Sequence, residues 1–248
     1  MNNKKYKINN LVQTLSICIA TYNGEKYIKE QLDSILSQLN ENDEIIISDD
    51  SSIDKTVEII KSYNDNRIKI YKNTKRKGYT RNFENALEKA SGDIIFLSDQ
   101  DDVWVEDKVN KMINILESYD FVVSDNSIVD ENLKIINKSH FEVYKTSRGF
   151  IKNLLLPRYV GACMAFKRNV LEKSLPFPDN AKLCPHDYWI SLIAEMYFKS
   201  YKLDEQLLLY RRHGANASTG GEKSKNSLIH KVKVRIYTLI HLIRRLFK

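Results

Sequence analysis

Cysteine is scarce in this chain: Cys18, Cys163 and Cys184 are the only three among 248 residues. Odd in number, far apart and without metal-ligand spacing, they argue against a disulfide framework and for a reducing compartment, the cytoplasm being the simplest. No window holds about 18 uninterrupted apolar residues, so no simple transmembrane helix is expected. Met1 to Asn10 is polar and rich in Lys and Asn, with no apolar stretch of the kind a secretory signal needs. No Gly-x-Gly-x-x-Gly follows the first predicted strand, which leaves a dehydrogenase poorly supported. No internal repeat is present.

What is there reads as a soluble globular protein, with 42% hydrophobic and 29% charged residues. The length suits one large α/β domain or at most two small ones. The net charge of +7 is unevenly placed, because from Gly221 to Lys248 eight Lys and Arg face a single acid, Glu222. The body is therefore neutral and the tail carries the whole excess.

Apolar runs at Thr14 to Ala20, Glu44 to Ser48, Ile68 to Tyr71 and Asp93 to Leu97 predict strands. They alternate with predicted helices at Glu25 to Leu39, Asp54 to Tyr63 and Tyr79 to Ala90. Such alternation means right-handed βαβ units and a mostly parallel sheet. Further on, a helix from Val105 to Ser118 and a strand at Phe121 to Ser124 lead into a less regular stretch to about Arg158. Gly161 to Phe166 predicts a strand, His186 to Phe198 a helix and Leu203 to Tyr210 a last strand.

Two of the strands end in acids. Ser98-Asp99-Gln100-Asp101-Asp102 closes one apolar run and Asp49-Asp50 another. Ligands of open parallel sheets gather outside the carboxyl ends of the strands, so an Asp-x-Asp there suggests a divalent cation carrying a phosphate. A solvated acidic turn is the plain alternative for the first cluster, and a helix cap from Asp54 or Ser52 for the second. Caps do not explain why acids recur at the same end of neighbouring strands. The first strand ends in Ala20-Thr21-Tyr22-Asn23-Gly24-Glu25, where a Tyr could stack on a base and Thr21 or Asn23 read its polar edge.

Thr-Tyr-Asn-Gly, then Asp-Asp-Ser, then Ser-Asp-Gln-Asp-Asp-Val-Trp is an order that resembles the family 2 glycosyltransferases, over about Thr14 to Asn216. The resemblance implies a GT-A type α/β/α sandwich. It implies a glycosyltransferase domain (14–216) with a nucleotide-sugar half (14–104) and an acceptor half (105–216), while composition and periodicity mark off a polar extension (1–13), a linker (217–226) and a basic amphipathic helix (227–248). It implies that the loop of Ala20, Thr21, Tyr22, Asn23 and Glu25, with Asp50, holds the nucleotide. Asp101 with Asp99 would bind Mg²⁺ or Mn²⁺ bridging the diphosphate, a neutralisation that a nucleoside diphosphate leaving group requires. Asp102 leaves the choice of metal pair open. Arg81 and Lys77 are candidate phosphate contacts or simply solvated charges at a helix start.

In the second half, Asp187 of Cys-Pro-His-Asp-Tyr-Trp falls where the family places its catalytic base, the carboxylate that takes the proton of an attacking hydroxyl in an inverting displacement. An N-cap is its alternative role. The same match makes Gly161, His186 and Trp189 acceptor contacts, and makes Arg212 a phosphate and His213 a metal contact. Gly161 could equally serve a tight strand crossing. Likeness to rhamnosyltransferases and related hexosyltransferases of surface-polysaccharide assembly implies dTDP-rhamnose as donor, or else a UDP-hexose, and a glycan acceptor that is free or polyprenyl-linked. Many relatives carry Gly after the second acidic pair, where this chain has Ser51.

In the tail, Leu228, Ile229, Val232, Ile236, Leu239, Ile240, Ile243 and Phe247 recur at helical spacing among cations. A basic amphipathic helix suits an anionic membrane surface on the cytoplasmic side, while packing on the domain or an oligomer seam are the alternatives. Nucleic acid is not expected as a partner, for want of interleaved aromatics. Two rival functions remain: a phosphatase with Asp99 as nucleophile and Asp101 as acid/base, and a non-catalytic nucleotide- or lipid-binding module.

Overall fold

Apolar strands ending in polar turns, each followed by an amphipathic helix, build the first half. In the computed structural model, which describes residues 6–8, 11–214, 216 and 227–247, a hairpin of β1 (Lys7–Ile8) and β2 (Leu11–Val12) comes first. Then follow β3 (Leu15–Thr21), α1 (Ile28–Leu36), β4 (Glu44–Asp49), α2 (Thr56–Ser62), β5 (Ile68–Lys72), α3 (Tyr79–Leu87) and β6 (Ile94–Asp99). The second half comprises β7 (Val103–Trp104), α4 (Lys108–Leu116), β8 (Phe121–Val129), β9 (Ile135–Asn137), α5 (His140–Tyr144) and α6 (Phe150–Leu155). It continues through β10 (Met164–Lys167), α7 (Arg168–Ser174), α8 (His186–Tyr197), β11 (Ser200–Arg211) and α9 (Leu228–Leu246).

One sheet crosses both halves in the order β5-β4-β3-β6-β10-β8-β11-β7, with β9 beside β8. β3, β4, β5 and β6 are mutually parallel, and β8 and β11 share their direction, while β10, β7 and β9 run against it. The central strands are buried on both faces, which is why β4 and β6 carry apolar runs without alternation. The same-direction strands of the first half deliver their ends to one edge, and those of β4 and β6 are acidic.

The first helix begins at Ile28 rather than Glu25, because Gly24 to Tyr27 form a turn in which the Tyr27 and Ile28 amides both donate to the Gly24 carbonyl. The strand expected over 161–166 divides into a 3₁₀ turn, Gly161–Cys163, and β10, which lies antiparallel between β6 and β8. The stretch expected to be less regular contains the rest of β8, β9, α5 and α6. The linker expected at 217–226 lies outside the described residues, as does part of the 1–13 extension. Within that extension Tyr6 and Ile8 are buried against the core.

The tail is helical from Leu228 to Leu246 and docks on the domain. Thr238 and Leu242 are buried beneath it, the Leu242 carbonyl accepts from the Tyr197 hydroxyl at 3.1 Å, and the Arg245 carbonyl from Lys173 Nζ at 2.8 Å. The apolar stripe read from the sequence does not make this contact. Ile229, Val232, Ile236, Ile240, Ile243 and Phe247 face outward and are exposed, with Leu239 at the margin. No helix among the described residues is long and apolar enough to cross a membrane.

Candidate active site

The ends of β3, β4 and β6 open onto a cavity of about 1410 Å³ whose far side is the start of α8. Ala20, Thr21 and Tyr22 line it from β3, Asp50 from β4, and Asp99, Gln100 and Asp101 from β6. Gln100 fixes two of these loops to each other: its Oε1 accepts from the Tyr22 amide at 2.8 Å and its Nε2 donates to the Tyr22 carbonyl at 3.0 Å. A Cβ at Gly24 would overlap the Gln100 amide, so the brace requires glycine there. Asp50 holds the next loop, accepting from Asn73 Nδ2 at 2.8 Å and from the Gly78 amide at 2.7 Å. Asp49 accepts the Ser52 amide, closing a turn in which Ser51 is left-handed, at φ 69°.

The three acids after β6 separate by environment. Asp99 and Asp101 face the cavity. Asp102 is fully buried on the other side, its Oδ1 accepting the Arg211 amide at 2.9 Å and its Oδ2 unpartnered. Burial, then the neighbouring charges of Asp101 and Asp99, pushes Asp102 well above the ordinary carboxylate range. Burial, then Asp101 and Asp187, pushes Asp99 up to about 7. Behind them lies Lys108, fully buried, with its Nζ donating to the Ala162 carbonyl at 2.8 Å and lying 4.5 Å from the Trp104 ring centroid. Burial draws its ammonium down to about 8, and the carboxylates of Asp102 and Asp99 oppose that. Lys108 thus places a cation on the side of the cluster that solvent does not reach.

His213 Nε2 lies 2.8 Å from Asp101 Oδ2, and Asn216 Nδ2 donates to the same oxygen at 3.1 Å. Among the described residues no three of His, Cys, Asp and Glu converge into a ready-made metal cage. The donor set that is present, a carboxylate oxygen beside an imidazole nitrogen on a cavity wall, fits a hard divalent cation that takes its remaining ligands from phosphates and water.

Asp187 occupies the first turn of α8, where the helix dipole favours negative charge. The preceding His186 is buried and stacks on Phe83 at 4.2 Å, with neither ring nitrogen partnered, and burial lowers its pKa. A Cβ on Gly161 would lie 3.0 Å from His186 Nε2 and 3.3 Å from Asp187 Cβ, so glycine keeps the wall open beside the carboxylate. A second buried histidine, His140, also lines the cavity with both ring nitrogens unpartnered.

The structure therefore brings together Ala20, Thr21, Tyr22, Asp50, Asp99, Gly161, His186 and Asp187, with Asp101 and its partner His213. Others it places elsewhere. Asn23 and Glu25 are tied to the start of α2, the first accepting the Ile53 amide and the second the Lys55 amide. Arg81 is committed to Glu84 and to the Pro178 carbonyl, bracing α3 against the segment before α8. Arg212 gives its amide to the Val129 carbonyl and is not on the cavity wall, although the neighbouring Tyr210 is. Trp189 is a core residue, wholly buried with its indole N–H on the Ser174 carbonyl, and this corrects its expected acceptor role. Residues not anticipated are Gln100, Asn216, His140 and Lys108. Only Lys108 leaves a sequence signal: it is a charge on the buried stripe of α4, in phase with Val109, Met112 and Leu116.

Residues 16–175 match the family described as Glycosyl transferase family 2. Among curated proteins, the chain is 41% identical over 43% of its length to the Escherichia coli UDP-Glc:alpha-D-GlcNAc-diphosphoundecaprenol beta-1,3-glucosyltransferase WfaP. That match spans only 43% of WfaP itself. It is 27% identical over 85% of its length to the Shigella flexneri dTDP-rhamnosyl transferase RfbG, covering 78% of that protein. Among solved structures, S. aureus TarS 1-349 in complex with UDP-GlcNAc superposes with a TM-score of 0.70 at 18% identity, over 93% of this chain and 66% of TarS 1-349. The mannosyltransferase PcManGT of Pyrobaculum calidifontis, with GDP-Man and Mn²⁺, gives 0.65 at 20%, over 97% of this chain and 68% of that one. These likenesses establish the GT-A type fold.

Proposed function

The chain belongs to glycosyl transferase family 2, and on that premise we propose that it is an inverting hexosyltransferase moving a sugar from a nucleotide-sugar donor to a hydroxyl of a polyprenyl-linked glycan. The observation that carries this reading is one cavity in which the nucleotide loops of β3 and β4 face the Asp187 carboxylate across the acidic loop of β6. The dTDP-rhamnosyl transferase RfbG, whose match covers 85% of this chain, supports dTDP-rhamnose as first donor, and the UDP-Glc-dependent WfaP supports a UDP-hexose as second. Membership of the family takes away the ground for the phosphatase alternative, since Asp99 and Asp101 lie within the matched region.

Each residue has a part. Tyr22, half exposed on the rim, offers its ring to the base, and Asp50 steadies the loop before Gly78 and Lys77 that faces the nucleotide. A Mg²⁺ or Mn²⁺ held by Asp101 and His213, with Asp99 close by, would neutralise charge on the departing diphosphate. Asp187 accepts the proton of the acceptor hydroxyl, and Gly161 leaves room for that hydroxyl to approach. Outside the cavity, the outward stripe of α9 with Lys233 and Arg244 rests on an anionic membrane surface, on the cytoplasmic side, where a lipid-linked acceptor is found.

Replacing Asp187 with Asn tests the base. Turnover falls by about 10²-fold or more while donor affinity holds. Unchanged turnover rejects the assignment.

A further inference from the structure

The cavity does not end at Asp187. Beyond it the wall consists of the end of α5 with Lys145, the segment that follows α6, then Lys182, then the first two turns of α9. Five cations line this end: Lys145, Arg158, Lys182, Lys231 and Arg235. Among the described residues none of the five makes an ion pair. Two are held in place by neutral partners. Arg158 donates to the Lys145 carbonyl at 3.1 Å, and Arg235 donates to the carbonyls of Lys231 at 3.1 Å and Leu155 at 2.7 Å. Backbone carbonyls fix the guanidinium groups without cancelling their charge. The donor end of the same cavity is the reverse, crowded with the carboxylates of Asp50, Asp99 and Asp101.

The rim outside these cations is apolar. Leu155 and Leu156 at the end of α6 are more than half exposed, and the bond from Arg235 to Leu155 sets them against α9. From there the exposed stripe of α9 runs on through Val232 and Ile236. Uncancelled positive charge inside an apolar rim, at the open end of an acceptor cavity, fits an amphiphile with a strongly anionic head.

We propose that this end is a subsite for the diphosphate of a lipid-linked acceptor. Arg158, Lys182 and Lys231 take the phosphate oxygens, and Leu155, Leu156 and the outward face of α9 take the first prenyl units. The acceptor's sugar then lies between this subsite and Asp187. The assignment rests on the transferase reading and adds to it where the lipid is held.

Equilibrium binding of farnesyl diphosphate, below its micelle concentration and with UDP and Mn²⁺ saturating the donor end, tests it. The intact protein binds farnesyl diphosphate at least tenfold more tightly than inorganic diphosphate. Arg158→Ala, Lys182→Ala and Lys231→Ala each weaken farnesyl diphosphate at least tenfold, while Lys61→Ala on the distant α2 changes it less than twofold. The Lys182 side chain makes no hydrogen bond among the described residues, so Lys182→Ala keeps the test decisive if Arg158→Ala fails to fold. Wild-type affinity in the Lys182 and Lys231 variants overturns the subsite, and so does equal affinity for inorganic diphosphate. Nucleotide binding without farnesyl diphosphate binding also overturns it and leaves the transferase reading standing. Farnesyl diphosphate binding that is lost with the cations, in a protein that ignores nucleotides, strikes the transferase reading instead.

Discussion

Gly161 is a residue whose value lies in what it leaves empty. A methyl group there would press on both the His186 ring and the Asp187 side chain, at 3.0 and 3.3 Å. Gly161→Ala therefore lowers kcat by about tenfold or more through a displaced base, because small misplacements near the chemistry are expensive. Its donor KM holds, and steady-state kinetics reads both. His140 gives a pH signature. Burial holds its imidazole down at about 4, below its ordinary 6.5, so between these values the folded protein binds fewer protons than the unfolded chain. Stability is consequently lost as pH falls from about 6.5 towards 4, by on the order of 3 kcal/mol. His186, lowered for the same reason, acts in the same sense. Asp99, raised to about 7, acts oppositely, since the folded protein keeps a proton there that the unfolded chain releases. Comparing wild type with His140→Leu isolates the histidine. Between pH 7 and about pH 4.5, in urea unfolding, the wild type loses on the order of 2 to 3 kcal/mol more than the variant. Equal losses would refute the buried neutral histidine. At this scale the acids were legible because their positions after apolar runs are written in the sequence. Gln100 and His140 were not, because a brace between loops 78 residues apart, or a histidine turned into a cavity, leaves no local pattern.

α9 shows how an element can be read correctly as a helix and still be turned the other way. Its period announced one apolar stripe, but two faces are in use. Thr238 and Leu242 lie on the domain, and Ile236, Ile240 and Ile243 lie outward. Removing the helix would thus strip the core, so point changes separate the two roles. Leu242→Ala lowers stability by about 2 to 4 kcal/mol in denaturant unfolding. Ile236→Ser, Ile240→Ser and Ile243→Ser combined leave the thermal midpoint within a few degrees but abolish sedimentation with anionic vesicles. Unchanged sedimentation would remove the membrane role. The turn after β4 offers a smaller check. Ser51 carries a left-handed conformation that glycine adopts without steric cost, so Ser51→Gly gains up to about 1 kcal/mol in thermal unfolding. The 155–159 segment and the 3₁₀ turn at Gly161 were invisible beforehand, because tertiary contacts rather than periodicity shape them.

At the scale of the whole molecule, strand direction does the organising. Four parallel strands of the first half send their loops to one edge, and β8 and β11 carry the same direction across the second half. The alternation of strands and helices disclosed the first part of this plan, since each βαβ unit is local. Insertion of β10 between β6 and β8, and the return of β11 to pair with β7, join segments about 40 to 100 residues apart and had no local trace. The acidic loop and the Tyr22 loop are neighbours through the direct β3–β6 pairing, and the second half brings Asp187 to the same cavity.

The most direct test of a metal-assisted nucleotide-sugar site is a thermal-shift panel of dTDP, UDP and GDP and their sugars, each with Mn²⁺, Mg²⁺ or chelator. A ligand at 100 times its Kd adds about 2.7 kcal/mol, which for a chain of this size moves the midpoint by roughly 5 to 10 °C. The account predicts such a shift with thymidine or uridine diphosphates, abolished by chelator and by Asp101→Asn. A panel that stays flat with every nucleotide and metal would contradict it.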